Sequence, residues 1–429
     1  MDNYTKYLIA ALALCGLLVI NTIACEAKKE NKERTRTTHT TAEDTSGPLI
    51  KFRQRDGSTT AGITADGAGV SVPNGELTQV HMTTQDGTEI PGSLASDRRS
   101  WKPNKDLELG TTYTITANAA DENNGTVHGA SVSFTTADPE HSTIVTCTPQ
   151  NGSTVGVGMP VSLTFSRPIH YREAVLSGIT VHSSSGQQAI GHWLGDRRLD
   201  FRPREYWHPH SQITVDISLD GLETSPGVQG VQNETVRFST GHAQISTLDV
   251  RSHRMTVTRD GELLRILPVS AGSSSHPTYN GTLVISEKHQ EIRMNGASVG
   301  FPEEQGGYDI PDVPHAMRLT DSGTFVHGNY WTPKNAFGTT NTSHGCIGLE
   351  DTQGTPDPHT PAAWFFDHSR PGDIIIVSGS TAPVVDPANG LNSWNMDWAT
   401  WSASTQVPFT TRTCTRVAEW WQRKMESFV

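Results

Sequence analysis

Two successive stretches carry the same strand pattern, and this repeat restricts the possible folds more than any other feature of the sequence. Trp101-Lys102-Pro103 corresponds to Phe201-Arg202-Pro203, and Val132–Thr136 corresponds to Val236–Thr240, at offsets of 100 to 104 residues. In both copies, short runs that alternate apolar and polar residues lie between clusters of Gly, Pro, Asn and Asp, a pattern that is typical of β-sandwiches. The offset indicates one folding unit that occurs twice.

The two copies, residues 48–140 and 141–242, are therefore predicted to be immunoglobulin-like β-sandwiches. Neither contains the Cys–Trp–Cys pattern of antibody domains, which excludes domains of that type. Whether the sandwiches bind glycan or only hold a following domain at a distance stays open, because a fold does not determine a function.

The strands become longer in the next region, residues 243–380, for which the sequence predicts a β-rich domain. An Asp260-Gly261 pair marks a hairpin turn, and helical spacing appears at Pro361–His368. The predicted strands are Thr247–Val250, Arg254–Thr258, Leu263–Val269 and Asp373–Val377.

A short C-terminal helical segment is predicted within residues 381–429. Residues 412–428 place Val417, Trp420, Trp421, Met425 and Phe428 on roughly one helical face, so this helix is expected to dock on the preceding domain. A helix lying on a membrane surface is the alternative.

The N-terminus has the features of an export signal. Residues 1–24 contain Lys6 and then the apolar run Tyr7–Ile20, which is shorter than a membrane-spanning helix requires. Thr22-Ile23-Ala24-Cys25 resembles a bacterial lipobox, with Thr22 where leucine is usual. We therefore expect cleavage before Cys25, lipid on that cysteine and a disordered linker over residues 25–47. A plain signal peptide and an uncleaved anchor remain as alternatives.

The net charge and the number of cysteines limit the partners and the chemistry that this chain can have. The net charge is −12, so nucleic acid is excluded as a partner, since that affinity rests on neutralising phosphates. Of five cysteines, Cys15 would leave with the signal and Cys25 would carry lipid. Cys147, Cys346 and Cys414 then remain, an odd number in an oxidising compartment. Cys147 and Cys414 could be buried singly or paired, and Cys346 has neighbours suited to chemistry.

Those neighbours lie in residues 324–349, TFVHGNYWTPKNAFGTTNTSHGCIGL. A cysteine becomes a strong nucleophile as a thiolate, and His327 and His344 are the local bases. Gly345 permits a tight turn whose N–H groups point at a reacting carbonyl. From the residues alone, Cys346 could be a nucleophile, a core cysteine or a zinc ligand. The spacing of the two histidines and the cysteine fits a structural zinc site poorly.

The same residues resemble the YkuD-type L,D-transpeptidases. The signature is a His-Gly at a strand end, followed by Ser343-His344-Gly345-Cys346. The resemblance covers about residues 244–404. It also includes Ser270-Ala271-Gly272, Pro277-Thr278, Gly281, Arg370-Pro371-Gly372-Asp373 and Asn395-Met396-Asp397-Trp398. The two sandwiches are similar to the paired domains that precede actinobacterial L,D-transpeptidases.

The resemblance implies a role for each catalytic residue. Cys346 would be the nucleophile and His327 the general base, with its other ring nitrogen held by a backbone carbonyl near Gly328. The N–H groups of Gly345 and Cys346 would form an oxyanion hole. His344 would line the site, either in the chemistry or as a support for the loop.

The same resemblance implies a set of substrate-binding residues, and at two positions this chain differs from the family pattern. Relatives often carry an aromatic residue at the position of Met317 and an asparagine at that of Gly348, which puts substrate fit in doubt and leaves the chemistry intact. Arg318 could face a substrate carboxylate or form a structural ion pair. The residues expected to contact substrate are Met294, Tyr308, Arg318, Gly328, Asn329, Trp331 and Ser343.

The implied function is peptide exchange in the bacterial cell wall. A tetrapeptide stem of peptidoglycan would acylate Cys346 and release D-alanine, and an amine of a second stem would complete a 3→3 cross-link. Hydrolysis by an L,D-carboxypeptidase and a non-catalytic wall-binding lipoprotein are the alternatives. Carbapenem β-lactams are expected as inhibitors. No metal, nucleotide or flavin motif is present, so no cofactor is expected, and the enzyme would work outside the cytoplasm on a lipid anchor.

Overall fold

The computed structural model describes residues 50–60, 62–122, 125–299, 307–354 and 357–403. Strands dominate these ranges, and three short helices interrupt them. They are α1 (Arg172–Ser177), α2 (Pro361–His368) and α3 (Trp398–Ala403). The expected signal, lipid attachment site, linker and helix 412–428 lie outside the described residues, as do Cys15, Cys25 and Cys414. Within the described ranges, no helix is both long enough and apolar enough to cross a bilayer.

The first sandwich is built from two four-stranded sheets, in the orders β1-β3-β6-β5 and β2-β8-β7-β4. Strand β7 shows why the sequence forms it, since Tyr113, Ile115, Ala117 and Ala119 alternate inward and are buried. The strands are β1 (Lys51–Phe52), β2 (Ser58–Thr60), β3 (Val70–Ser71), β4 (Glu76–Thr84), β5 (Gly92–Leu94), β6 (Ser100–Pro103), β7 (Thr112–Ala120) and β8 (Val127–Thr136).

The second sandwich repeats this arrangement in the sheets β10-β12-β15-β14 and β11-β19-β16-β13, and adds a small sheet, β17-β18-β9. β6 and β15 hold the same place in their sheets, as do β8 and β19, so the predicted repeat is confirmed. The strands are β9 (Ser142–Thr143), β10 (Val145–Thr148), β11 (Thr154–Val155), β12 (Val161–Phe165), β13 (Ile179–Ser183), β14 (Ile190–Trp193), β15 (Arg198–Arg202), β16 (Gln212–Ser218), β17 (Glu223–Ser225), β18 (Val228–Gly230) and β19 (Asn233–Thr240).

A nine-stranded sheet follows, in the order β23-β28-β20-β21-β22-β27-β26-β25-β24. Its inner pairs are mainly antiparallel, but β20 runs parallel to β28 and β26 runs parallel to β27. The strands are β20 (Gln244–Asp249), β21 (Arg254–Arg259), β22 (Glu262–Ser270), β23 (Gly281–Val284), β24 (Glu287–Asn295), β25 (Asp309–Arg318), β26 (Phe325–Asn329), β27 (Ile347–Glu350) and β28 (Ile374–Ser378).

Local signals explain two elements of this domain. Helix α2 begins after Thr360, whose side chain accepts a hydrogen bond from the Ala363 amide, and it has a proline in its first turn. The predicted hairpin turn is present, with Asp260 at φ +52° and Gly261 at φ +87°. Predicted strand ends differ from the observed ones by a few residues. The strand expected to end at His327 continues to Asn329.

The second sandwich and the nine-stranded domain share one hydrophobic core. Val284 of β23 and Leu391 belong to the same buried cluster as Phe165, Leu199 and Trp207 of the sandwich. Within the predicted C-terminal segment, residues 381–429, Leu391 and Trp394 contribute to this shared core.

Candidate active site

Two parallel strands carry the central residues of the site. β26 pairs with β27 so that His327 lies beside Gly348, and Cys346 immediately precedes β27. Parallel strands cannot be joined by a tight turn, and residues 330–346 supply the crossover between them. Residues 19 positions apart in the chain, His327 and Cys346, therefore line one cavity.

Cys346 is buried, with 6% of its surface exposed. The Phe325 amide donates to Sγ at 3.4 Å, and Sγ–H donates to the Gly323 carbonyl at 3.6 Å. Burial raises the pKa of the Cys346 thiol to about 11, against a smaller lowering by the Phe325 amide. The resting cysteine is therefore a thiol at neutral pH.

His327 is buried as well, with 4% of its surface exposed. Its Nδ1 lies 2.8 Å from the Gly328 carbonyl oxygen, which can only accept, so Nδ1 carries the proton and Nε2 is left as the base. The ring stacks on Trp331 at a centroid distance of 5.6 Å. Burial lowers the pKa of His327, and the Gly328 bond and the charge of Asp351 oppose that shift. The thiol of Cys346 and the ring of His327 are thus both neutral at pH 7.

The cavity between them has a volume of about 280 Å³ and opens to solvent. Its walls are mostly apolar, which excludes water from part of the reacting centre and strengthens electrostatic interactions there. The lining residues are Met294, Tyr308, Ile310, His327, Asn329, Trp331, Thr332, Thr342, Ser343, His344 and Cys346.

Ser343 fixes the loop that presents the cysteine. Its Oγ donates to the Cys346 carbonyl at 2.5 Å, and it accepts from the Gly345 amide at 3.2 Å. Gly345 has φ +113°, a conformation that side chains rarely adopt. The Gly345 amide, expected in the oxyanion hole, is therefore engaged by Ser343. Within the described ranges, no residue accepts from the Cys346 amide, which leaves that N–H available to an oxyanion.

Comparison with known proteins agrees with this geometry. A family model described as the L,D-transpeptidase catalytic domain matches residues 243–377, and a bacterial Ig domain model matches residues 58–223. L,D-transpeptidase 2 of Mycobacterium tuberculosis is 30% identical over 357 residues, which cover 83% of this chain and 84% of that protein. The chain belongs to the L,D-transpeptidase family.

Shorter matches include L,D-transpeptidase 1 of Mycobacterium tuberculosis, 34% identical over 238 residues that cover 55% of this chain and 85% of that protein. A solved L,D-transpeptidase in complex with imipenem is 34% identical and has a TM-score of 0.46, covering 54% of this chain and 97% of that one. The bacterial Ig match extends over parts of both sandwiches of this L,D-transpeptidase.

Most of the residues expected to contact substrate line the cavity. Met294 is 7% exposed and Asn329 is 3% exposed, whereas Trp331 is 41% exposed at the rim. Burial, with a smaller contribution from Cys346, raises the pKa of Tyr308 to about 12. His344 is exposed, and its ring lies 5.6 Å from that of Tyr308 and 5.0 Å from that of His276.

Two of the residues expected to contact substrate, Arg318 and Gly328, are not among those that line the cavity of this L,D-transpeptidase. Arg318 pairs with Glu287, and its guanidinium lies 4.6 Å from the centre of the Phe325 ring. Gly328 is buried in β26, where an added Cβ would lie 2.0 Å from Asp351 Oδ2. Its place in the site is its carbonyl, which holds His327.

The two departures from the family pattern lie in the core. Met317 is fully buried in the hydrophobic cluster of the sheet. An added Cβ at Gly348 would lie 3.1 Å from Asn329 Nδ2 and 3.3 Å from the Ser270 carbonyl oxygen. The Asn329 side chain therefore occupies the space above Gly348 in this chain.

Sequence reasoning missed Asp351, His315 and His276. Asp351 directly follows β27, but a single acidic residue after a strand is too common to indicate a site. His315 lies in a segment with no local motif, and His276 directly precedes Pro277-Thr278 of the family resemblance without belonging to it. Ile310, Thr332 and Thr342 were also missed among the lining residues.

The zinc interpretation of the site gains no support from the described side chains. Three potential ligand atoms come within 4.8 Å of one another at His210, His242 and Asp260, all exposed. There, His242 Nδ1 pairs with Asp260 Oδ2 at 2.5 Å beside the β21–β22 turn. Cys147 is half-buried, burial raises its pKa to about 12, and it is not among the residues that line the Cys346 cavity.

Proposed function

We propose that this chain is a peptidoglycan L,D-transpeptidase that uses Cys346 as an acyl-carrying nucleophile and forms 3→3 cross-links. The observation that carries the proposal is the shared cavity of Cys346 and His327, in which Nδ1 is bonded to the Gly328 carbonyl at 2.8 Å. That bond leaves Nε2 as the one ring nitrogen able to take a proton.

The reaction begins with two neutral groups. Nε2 of His327 takes the Sγ proton as Sγ attacks the carbonyl of the third residue of a tetrapeptide stem. The Cys346 amide stabilises the oxyanion of the tetrahedral intermediate. His327 returns its proton to the departing amine of D-alanine, and a thioester remains on Cys346. The side-chain amine of a second stem then attacks, His327 accepts its proton, and the thiol is restored as the new amide forms.

The test is muropeptide analysis by mass spectrometry after incubation with purified disaccharide-tetrapeptide. A dimer linked through third residues, with one D-alanine released per dimer, is expected. Cys346→Ser and His327→Gln should each abolish it, and Cys147→Ala, which removes a half-buried cysteine outside the cavity, should not. A tripeptide without dimer would assign an L,D-carboxypeptidase instead, and no change with folded protein would favour wall binding alone.

We propose also that carbapenems acylate Cys346. A strained β-lactam carbonyl presents the same electrophile to a thiol in an apolar cavity, and ring opening retains the acyl group. Intact-mass measurement should show one adduct that peptide mapping places on Cys346 and that a chelator does not prevent. An adduct that persists in Cys346→Ala would refute the assignment.

The proposed location is the outer face of the cytoplasmic membrane, with a lipid on Cys25. It rests on the export signal and lipobox-like residues of the sequence. Wild type should partition into detergent and Cys25→Ala should appear in the medium. Recovery of wild type entirely in the medium would contradict the anchor.

A further inference from the structure

The buried carboxylate of Asp351 lies against Gly328, the residue whose carbonyl holds the proposed base. Asp351 follows β27, and its side chain is 1% exposed. Its Oδ2 approaches Gly328 so closely that a methyl group on Gly328 would lie 2.0 Å away. Gly328 is the residue whose carbonyl accepts the His327 Nδ1–H. The carboxylate and the imidazole therefore both lie against the same residue of β26.

Fixed hydrogen bonds hold this carboxylate in place. Oδ1 accepts from the Thr352 amide at 2.9 Å and from Thr360 Oγ1 at 3.0 Å. Thr360 is the N-cap of α2, so one side of Asp351 is anchored to a helix start. Oδ2 accepts from His315 Nδ1 at 2.7 Å. Three donors therefore fix the orientation of this buried carboxylate.

His315 reaches Asp351 through an unusual backbone conformation. It lies in β25 at φ +50°, one of five non-glycine residues with positive φ among those that the structure describes. The pairing of β25 with β26 is regular at Met317 and Val326 and does not extend to His315. Such a conformation is uncommon outside glycine and costs free energy, so other contacts must retain it. The ion pair with Asp351 and a ring contact with Phe366 at 5.3 Å supply them.

We propose that Asp351, held by His315, is a positioning residue that stabilises the imidazolium of His327 when it takes the proton of Cys346. The inference rests on the proposed function of His327 as the base. When the thiol proton moves to Nε2, a positive charge forms in a buried ring. A fixed negative charge nearby stabilises that charge more effectively than it would in water. Within the described part of the chain, Asp351 is the charge that raises the pKa of His327.

The charges around Asp351 are few. Among the described residues its ion pair is with His315, and no lysine or arginine is paired with it. The groups packed against it from other elements are neutral, namely Thr352, Thr360 and the Gly328 backbone. Among the described residues, the charge that acts on His327 is therefore that of one carboxylate, Asp351.

The test is Asp351→Asn, with Asp312→Asn as the matched control. Asp312 lies on β25, the strand that carries His315, and like Asp351 it accepts hydrogen bonds, here from Tyr330 and Gln353. It is not among the groups that act on His327. The pKa of His327, followed by NMR of labelled histidine, should fall in Asp351→Asn and stay unchanged in the control. The acid limb of kcat/KM should move to lower pH, and acylation should slow by about tenfold, less than the 10²–10⁴ that a general base supplies.

A second variant keeps the result interpretable if Asp351→Asn folds poorly. His315→Gln retains a donor for Oδ2 but carries no charge, so the pKa of His327 should be unchanged or higher. A fall in that variant would overturn the proposal. So would a loss of rate in Asp351→Asn without a shift of the His327 pKa or of the acid limb, since that marks a structural role. His327→Gln reports on the proposed function separately, because it must abolish acylation whatever Asp351 does.

Discussion

The protonation state of Cys346 before substrate binds can be tested by alkylation. Some cysteine enzymes hold a preformed thiolate beside an imidazolium, whereas burial here raises the pKa of Cys346 to about 11. At that pKa, the thiolate fraction at pH 8 is about 10⁻³, against about one quarter for an ordinary cysteine. The loss of thiolate is therefore about 240-fold relative to a free cysteine.

A more basic thiolate is also a better nucleophile, and this offsets part of the loss. With a Brønsted coefficient of about 0.4–0.5, the difference in pKa increases the intrinsic reactivity about 10- to 18-fold. The net expectation is that Cys346 reacts with iodoacetamide about 15- to 25-fold more slowly than a model thiol at pH 8. Limited access to a residue that is 6% exposed would slow it further.

The assay is the rate of carbamidomethylation of Cys346, measured by peptide mapping between pH 6 and pH 10. The logarithm of the rate should rise with unit slope across this range and show no plateau, because the thiolate is the reacting species. A plateau with a midpoint below pH 8 that disappears in His327→Gln would refute the reasoning. It would show that a thiolate–imidazolium pair exists at rest and that burial does not dominate the pKa of Cys346.

Three further predictions concern stability and domain boundaries. Gly328→Ala should lower Tm and abolish acylation, because its Cβ would lie 2.0 Å from Asp351 Oδ2; normal Tm and activity would show that β26 can shift. Burial raises the pKa of Asp373 to about 7, so its favourable contribution to the free energy of unfolding should be lost as pH rises from about 4 through 7. Urea titrations should show this fall in wild type and its absence in Asp373→Asn. A chain starting at Ala243 should expose Val284 of the shared core and aggregate or melt early in calorimetry; a wild-type Tm for that chain would make the sandwich dispensable.

The sequence predicted the elements whose formation depends on local period or capping. Alternating short strands were expected within residues 48–140 and 141–242, and Thr112–Ala120 and Gln212–Ser218 are observed strands with this alternation of buried residues. Pro361–His368 is the observed helix to the residue, since a threonine cap and a first-turn proline fix its start. His327 and Cys346 were paired from the sequence because both lie in one 26-residue stretch with a known motif.

Residues that depend on distant contacts escaped prediction. Arg318 was expected either to face a substrate carboxylate or to form a structural ion pair, but the identity of its partner, Glu287, 31 positions away, is not visible in a local pattern. His315 and Asp351 are 36 positions apart, and a histidine with positive φ has no sequence signature. The Gly345 amide was assigned to the oxyanion hole, because a sequence does not show that Ser343 Oγ engages it.

The repeat itself shows where sequence periodicity stops being informative. Lys102 and Arg202 occupy equivalent positions in the two sandwiches, and alternation predicts an outward side chain at both. Lys102 is exposed, but Arg202 is 2% exposed. Its guanidinium lies 4.3–5.4 Å from the ring centres of Trp394, Trp398 and Trp401 and donates to the Met396 carbonyl, and burial lowers its pKa to about 10. Alternation therefore fixes the face of the sheet on which a residue lies, whereas burial depends on whether another segment covers that face. Here the covering segment follows the strands of the nine-stranded sheet in the chain, and Met396, which accepts from Arg202, is 194 positions away, so no local period could predict the burial of Arg202.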